Sequence, residues 1–316
     1  MKAAAAPSRR LHASGRVRGR QRRAETNETR EFEDEFIVYL IFCSIMKRLV
    51  FRILAAVSVM MATFGLADIS AKTAITKMTL TTTIDKVTIK MVGSSTVAID
   101  WGDDSEVETK VLQTYSNMWA WPTTAFSSEY FYTHSYSGYA SRIITISGEN
   151  ITHMACFGNQ LTILDISENT ELTELICYEN QLTRLDLSNN TKLTRLVCGE
   201  NQLTNLDVSK NSVLTGLYCL DNKLTILDVS KNTELWYLNC KNNKLTSLVV
   251  SKNNTEMRTL ECDQNKLRIA ALNILFETLP DNAEIKAKGL SITGNPGTNS
   301  CDLSIAKNNG WKINYR

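Results

Sequence analysis

Eight cysteines, three histidines and several groups of acidic residues are the side chains in this 316-residue sequence with chemistry to offer. Cysteines form disulfides, bind zinc or act as nucleophiles, and their spacing decides among these uses. Cys156, Cys177, Cys198, Cys219 and Cys240 stand 21 residues apart, and Cys262 follows after 22. On stacked, in-register strands such a column places neighbouring thiols about 4.8 Å apart. Disulfides prefer a Cβ–Cβ distance of about 3.8 Å. Zinc needs four ligands around one point, which a line of thiols without a C-x-x-C pair does not supply. The six are expected to be small, buried apolar side chains that react slowly with thiol reagents. Cys301 lies outside the column, and its state is open.

The remaining groups assemble no catalytic set. His134 and His153 stand near no serine or cysteine nucleophile that the sequence identifies, and glycine-rich phosphate loops are absent. No catalytic residue, cofactor or metal ligand is assigned, and an enzyme is not expected. Asp100, Asp103, Asp104 and Glu106 carry the oxygen ligands that calcium takes. The same residues fit a turn whose Asp side chains bond nearby backbone, and both readings stay open. Asp165, Asp186, Asp207 and Asp228 form a second column, followed by Ser167, Ser188, Ser209 and Ser230. Equal charges at strand spacing repel by roughly 1 kcal/mol per neighbour in water. Hydrogen bonds to the following turn, or bound cations, must offset this.

Composition bounds the elements that position these residues. An apolar fraction of 43% with 4 prolines and 14 glycines belongs to a folded chain, neither disordered nor collagen-like. Residues 1–67 hold 12 Lys and Arg against 6 Asp and Glu; the remainder holds 23 against 27. That balance argues against a basic nucleic-acid-binding body. Residues 1–45 read as an arginine-rich disordered extension. Residues 46–67 follow the grammar of a secretory signal: Lys47, Arg48 and Arg52, an apolar stretch from Ile53, then Gly65-Leu66-Ala67. Translation from Met46 and cleavage after Ala67 are expected. One continuous membrane span over 36–67 is disfavoured, since each basic charge costs about 2.5–3.5 kcal/mol at a bilayer centre. The mature chain is therefore expected to be secreted or on the cell surface, with no membrane span.

Around each ladder cysteine lies one template, L-x-C-x-x-N-[QK]-L-T-x-L-D-[VIL]-S-x-N-x-x-L-T-x, in five full copies and a degenerate sixth over residues 150–268. Leu172, Leu175, Cys177, Asn180 and Leu182 fill the leucine-rich-repeat pattern in order, with cysteine in a leucine slot. The sequence thus resembles bacterial, internalin-like leucine-rich-repeat surface proteins with nested half-repeats. Leu175 and Cys177 alternate with Glu174, Ile176 and Tyr178, the period of a strand. One repeat cannot bury its leucines alone, so stacking supplies the core. Asn159, Asn180, Asn201, Asn222, Asn243 and Asn265 are expected to form an inner ladder that satisfies backbone groups at the turn.

Residues 72–149 read as all-β, with strands at Met78–Thr83, Val87–Met91, Val97–Trp101 and Arg142–Ser147. Asp100-Trp101-Gly102-Asp103-Asp104-Ser105 and the later Tyr132-Thr133-His134-Ser135-Tyr136 with Gly138-Tyr139 resemble the polycystic-kidney-disease (PKD) type of immunoglobulin-like sandwich, with Asp104 in the place of its glycine. The resemblance implies a spacer or rigid cap. After Leu267 a helical period runs Ile269, Leu272, Leu275, Phe276 and Leu279 until Pro280. A strand at Leu290–Thr293, a short helix over Asp302–Asn308 and a last strand at Trp311 and Ile313 complete a small α/β cap, residues 269–316. The fold expected is mainly β: sandwich, solenoid, cap.

Function then rests on the outward positions of the solenoid sheet. Ala155, Ile176, Val197 and Tyr218 form an apolar column with no core to fill, joined by Phe157, Tyr178, Leu220 and Tyr237. Exposed apolar patches mark contact sites, and tyrosine is favoured at hot spots. Apolar, β-branched residues also simply suit strands. The resemblance implies adhesion or host interaction with a protein partner. Glycan binding, or a structural envelope role, are the alternatives.

Overall fold

The computed structural model describes residues 76–114, 130–281, 285 and 288–314. The expected extension 1–45 and signal segment 46–67, with its cleavage point at Ala67, lie outside these residues. Ala74–Arg316 form one compact unit. Among the described residues, no helix is long and apolar enough to cross a membrane.

Among the described residues, six strands precede the coils: β1 (Thr76–Thr82), β2 (Lys86–Gly93), β3 (Thr96–Asp100), β4 (Glu108–Val111), β5 (Phe131–Ser135) and β6 (Arg142–Gly148). β1, β3 and β6, and β2 as far as Met91, alternate buried with more exposed side chains because one face of each meets a core, whereas β4 buries no side chain. The repeats follow as β7 (Ile151–Ala155), β8 (Ile163–Asp165), β9 (Glu174–Ile176), β10 (Arg195–Val197), β11 (Gly216–Tyr218), β12 (Ile226–Asp228), β13 (Tyr237–Asn239), β14 (Ser247–Val249) and β15 (Thr259–Glu261). Helix α1 (Ile269–Thr278), β16 (Lys288–Ser291), α2 (Leu303–Asn308) and β17 (Trp311–Ile313) complete the chain.

The main sheet has ten strands in the order β17-β16-β15-β13-β11-β10-β9-β7-β2-β5. From β7 to β17 its pairs are parallel and in register, with Leu175, Leu196, Leu217, Leu238, Leu260 and Leu290 opposite one another. A second sheet runs β4-β3-β6-β1-β8 and is antiparallel throughout. The division expected between residues 149 and 150 falls in the short turn from β6 to β7. Both sheets cross it, because β2 pairs with β7 and β1 with β8. The first coil thus has its edges paired with strands of the preceding segment. Asn159 completes the junction, donating to the Thr88 carbonyl at 2.8 Å and accepting its N–H at 3.0 Å.

Inside the coils the leucines and all six ladder cysteines are buried in one continuous core. The cysteines are free thiols. Burial pushes the Cys156 and Cys198 thiols up to about 12, and raises the others in the same direction. A thiolate is the reactive form. A thiol reagent near neutral pH is therefore expected to leave the six ladder cysteines unlabelled while the half-buried Cys301 reacts slowly. Unfolding should release all six; rapid labelling of folded protein would contradict this packing.

The asparagine ladder closes each inner turn. Asn222 Nδ2 donates to the carbonyls of Cys198 (3.0 Å), Cys219 (3.3 Å) and Leu220 (3.2 Å), and its Oδ1 accepts the Leu203 N–H at 2.9 Å. The residue before each ladder asparagine is left-handed: Glu179, Glu200, Asp221, Asn242 and Gln264 have φ between 49° and 56°, and Gly158 and Gly294 serve at the two ends. Non-glycine residues rarely adopt this conformation; here the bonds of the adjacent asparagine hold it. A second buried column, Asn190, Asn211 and Asn232, donates from Nδ2 to carbonyls of the preceding coil at 2.8–3.2 Å.

The C-terminal cap contains one more coil than expected. Leu290-Ser291-Ile292-Thr293-Gly294-Asn295 fits the template with Ile292 in the cysteine slot. Asn295 makes the ladder bonds, donating to Cys262 and Ile292 carbonyls and accepting from Leu267 N–H at 3.1 Å. The strand therefore sits at Lys288–Ser291 rather than Leu290–Thr293, because Leu290 pairs with Leu260. Helix α1 buries Leu272, Leu275 and Phe276. Ile269, expected on that face, is 44% exposed at the first turn. Asp302 caps α2 by accepting from Ser304 N–H.

Candidate functional site

Of the seven expected contact residues, Ile176, Val197, Tyr218 and Tyr237 lie on strands of the ten-stranded sheet, and Phe157, Tyr178 and Leu220 lie just beyond the ends of β7, β9 and β11. Ile176 and Val197 are only 7% exposed and, with Ala155, form a separate small cluster under Phe157, Tyr178 and Tyr218. The apolar column, expected to be open to solvent, is instead covered by larger neighbouring side chains. The Phe157 and Tyr178 rings stack at 4.9 Å, nearly parallel. Leu220 lies against Gly199, where an added Cβ would come within 2.8 Å of its side chain. Tyr218 and Tyr237 stack at 4.7 Å. Glycine at 216 leaves room for the Tyr218 ring, whose edge would lie 3.4 Å from a Cβ there.

Charged groups frame these rings. Glu174 and Arg195 are opposite each other on adjacent strands and pair at 3.5 Å. The Arg195 guanidinium also lies 5.3 Å from the Tyr218 ring centre, a cation–π distance. Burial raises the Glu174 carboxyl, opposed by the Arg195 and Lys90 charges. Burial, then the nearby Glu261 carboxylate, pushes the Tyr237 phenol up to about 12. His153 is held by the Thr152 hydroxyl at 2.8 Å, and burial lowers its pKa. Further along, Asn239 donates to Glu261 at 3.2 Å, and the Lys241 ammonium lies 3.6 Å from Glu261 and 3.7 Å from Asp263.

Trp236 is an exposed aromatic residue that the repeat pattern did not single out. It is 39% exposed and meets the Tyr237 ring edge-on at 5.8 Å. The available signal was a tryptophan standing where Thr173, Thr194 and Thr215 occupy the other repeats.

Six of the aspartates accept backbone N–H groups of their own turns. Asp186, Asp207 and Asp228 each accept the N–H of the serine two residues on, at 2.8–2.9 Å, and Asp165 accepts both Ser167 N–H and Oγ–H. These bonds hold the Asp165, Asp186 and Asp207 carboxyls below their ordinary value in spite of like-charged neighbours. In the earlier segment, Asp100 accepts Gly102 N–H at 2.9 Å, and Asp103 pairs with His134 at 2.7 Å. Hydrogen bonds from Ser105, then His134, hold Asp103 down to about 2. Asp104 takes the left-handed conformation, φ 61°, that a glycine would otherwise supply.

The LVIVD repeat family matches residues 137–180, from the turn before β6 to the second ladder asparagine. No curated protein matches the chain. Among solved structures, the chain is similar to the functional domain of InlJ from Listeria monocytogenes, described as including a cysteine ladder. The two are 31% identical over 52% of this chain and 49% of that one, with a TM-score of 0.34. An internalin, InlF, from the same organism is 25% identical over 47% of this chain and 43% of its own, with a TM-score of 0.39. A leucine-rich-repeat protein of Leptospira interrogans is 28% identical over 48% and 38%, also at 0.39. The chain thus spans about half the length of these structures or less.

Proposed function

We propose that this is a secreted or cell-surface binding protein without catalytic activity, whose concave sheet recognises a protein in adhesion or host interaction. The observation that carries this is the aromatic surface: two stacked ring pairs on successive coils, bordered by Arg195, Glu174 and Glu261. Tyrosines ordered before binding lose little freedom on contact, and such anchors dominate interface energies.

The remaining assignments belong to the same proposal. Residues 46–67 act as the export signal. Residues 72–149 serve as a PKD-type, immunoglobulin-like cap on the solenoid of 150–268, and 269–316 close its other end. Buried Trp101, whose Nε1 donates to Glu108 and whose carbonyl accepts from Tyr136 Oη, supports that cap identity. A second reading, glycan recognition, draws on Trp236 and Tyr237, whose edge-on rings offer a partly exposed platform for a sugar face.

For a captured partner, Tyr178→Ala and Tyr218→Ala are each expected to weaken binding by more than about 1 kcal/mol, a roughly fivefold rise in Kd. Unchanged affinity in both variants, with circular dichroism intact, would remove the concave face as the site. Capture of polysaccharide but not protein would favour the glycan reading.

A further inference from the structure

The acidic pair at the C-terminal end of the concave face is built more tightly than its position in the sheet requires. Asp263 is 5% exposed. One carboxylate oxygen, Oδ1, ties β15 to the following coil by accepting from Ser291 Oγ and from Thr293 N–H at 2.8 Å. The other, Oδ2, is buried and takes no hydrogen bond among the described residues. The Thr293 hydroxyl is likewise buried without a hydrogen-bond partner there. Glu261 stands two residues before Asp263, and its carboxylate accepts from Asn239.

The cation at hand is Lys241. Its ammonium lies 3.6 Å from Glu261 and 3.7 Å from Asp263. A charge-assisted N–H···O bond closes to about 2.7–2.9 Å, so Lys241 pairs with both acids and bonds closely to neither. Its side chain is 32% exposed, with water to move into. Two carboxylates facing one ammonium leave a negative charge over, and a buried acceptor is left open. The Tyr237 ring stacks on Tyr218 and stands on the strand next to Glu261.

Resting on the protein-recognition proposal above, we infer that Glu261 and Asp263 receive an arginine side chain of the partner, and that Lys241 is the internal cation it displaces. Arginine fits on three counts. Its planar fork can donate to two carboxylate oxygens at once, it lies flat on aromatic faces, and it is less strongly hydrated than an ammonium. The site thus sets one element of specificity: a basic residue of the partner must follow its apolar contacts along the sheet, toward the C-terminal coils.

The test uses the full chain and a small probe, so it needs no identified partner. N-acetyl-arginine amide is titrated while the backbone amide resonances of Ser291 and Thr293 are followed. Saturable shifts are expected, several-fold weaker with N-acetyl-lysine amide and absent with N-acetyl-citrulline amide, which keeps the shape without the charge. Lys241→Ala should bind the arginine probe at least fivefold more tightly, because the competing ammonium is gone. Glu261→Gln should bind it at least tenfold more weakly; this position, more exposed than Asp263, keeps the test open should Asp263→Asn fail to fold. Equal shifts with the citrulline probe would overturn the inference, as would no gain in Lys241→Ala or no loss in Glu261→Gln. Calcium moving the same amides at lower concentration than the arginine probe would also overturn it. Probe binding without any protein capture would sink the recognition proposal and leave the cation site standing; capture without probe binding would do the reverse.

Discussion

Replacing Asn222 by alanine is expected to destabilise the chain by about 3–5 kcal/mol, more than loss of any exposed side chain. The reason is the number of buried groups that one amide serves. Its NH2 reaches three carbonyls, and its oxygen takes the Leu203 N–H, all inside the turn where no strand pairing is available. Each buried group left unsatisfied costs about 1–3 kcal/mol, partly relieved where carbonyls hold a second bond. Asn222 is also a middle rung, and its bonds to Cys198 and Leu203 tie its coil to the preceding one, so the damage falls on that coil interface as well as on its own turn. Asp221 just before it, at φ 53°, loses the bonds that stabilise its left-handed backbone. Urea unfolding of the wild type and variant measures the difference. A loss under about 1 kcal/mol would mean that water or relaxed backbone replaces the ladder.

The second large effect is a steep alkaline limit on stability. An unfolded cysteine ionises near its ordinary value of 9.0, whereas Cys156 and Cys198 in the fold hold their protons to about 12. Burial raises the other four ladder thiols in the same direction. With the folded pKa raised, the stabilising contribution is whole below pH about 9 and is lost as pH rises toward 12. Each thiol protonated in the fold and ionised in the unfolded chain gives a slope of about 1.4 kcal/mol per pH unit; six together approach 8. Tyr136 and Tyr237, also pushed up to about 12, add with the same sign. The check is urea midpoints across this range, under reductant, for the wild type and for Cys198→Ala with Cys219→Ala. The double variant is expected to lose about 3 kcal/mol per pH unit of that slope. An unchanged slope would show that the ladder thiols ionise inside the fold.

The coils were legible because repetition multiplies a weak local pattern. Six copies of one spacing place Leu175, Cys177 and Asn180 unambiguously, and the structure puts each where the period requires. The coil at Leu290–Asn295 escaped for a converse reason. Helix α1 separates it from the last cysteine, and isoleucine fills the cysteine slot. The joining of β1 and β2 to the first coil was not written in any local pattern, since those pairs span 58 to 86 residues. The alternation set Ile176 and Val197 apart from the core that buries Leu175, Cys177, Leu196 and Cys198. It could not set their burial, because Ile176 and Val197 are covered by the size and tilt of Phe157, Tyr178 and Tyr218. Asp263 reads as a plain outward acid until Ser291 and Thr293 reach it from 28 and 30 residues away.

The central claim is that the concave sheet recognises a protein partner, and a paired capture tests it most directly. One bait is the full chain; the other carries Tyr178→Ala, Tyr218→Ala and Tyr237→Ala, with both shown to be folded. Each is exposed to host matrix and mucosal extracts, and captured proteins and glycans are identified. The expected result is a protein retained by the first bait and lost by the second. Equal retention by both would contradict the concave face as the contact surface, and retention by neither would contradict recognition itself.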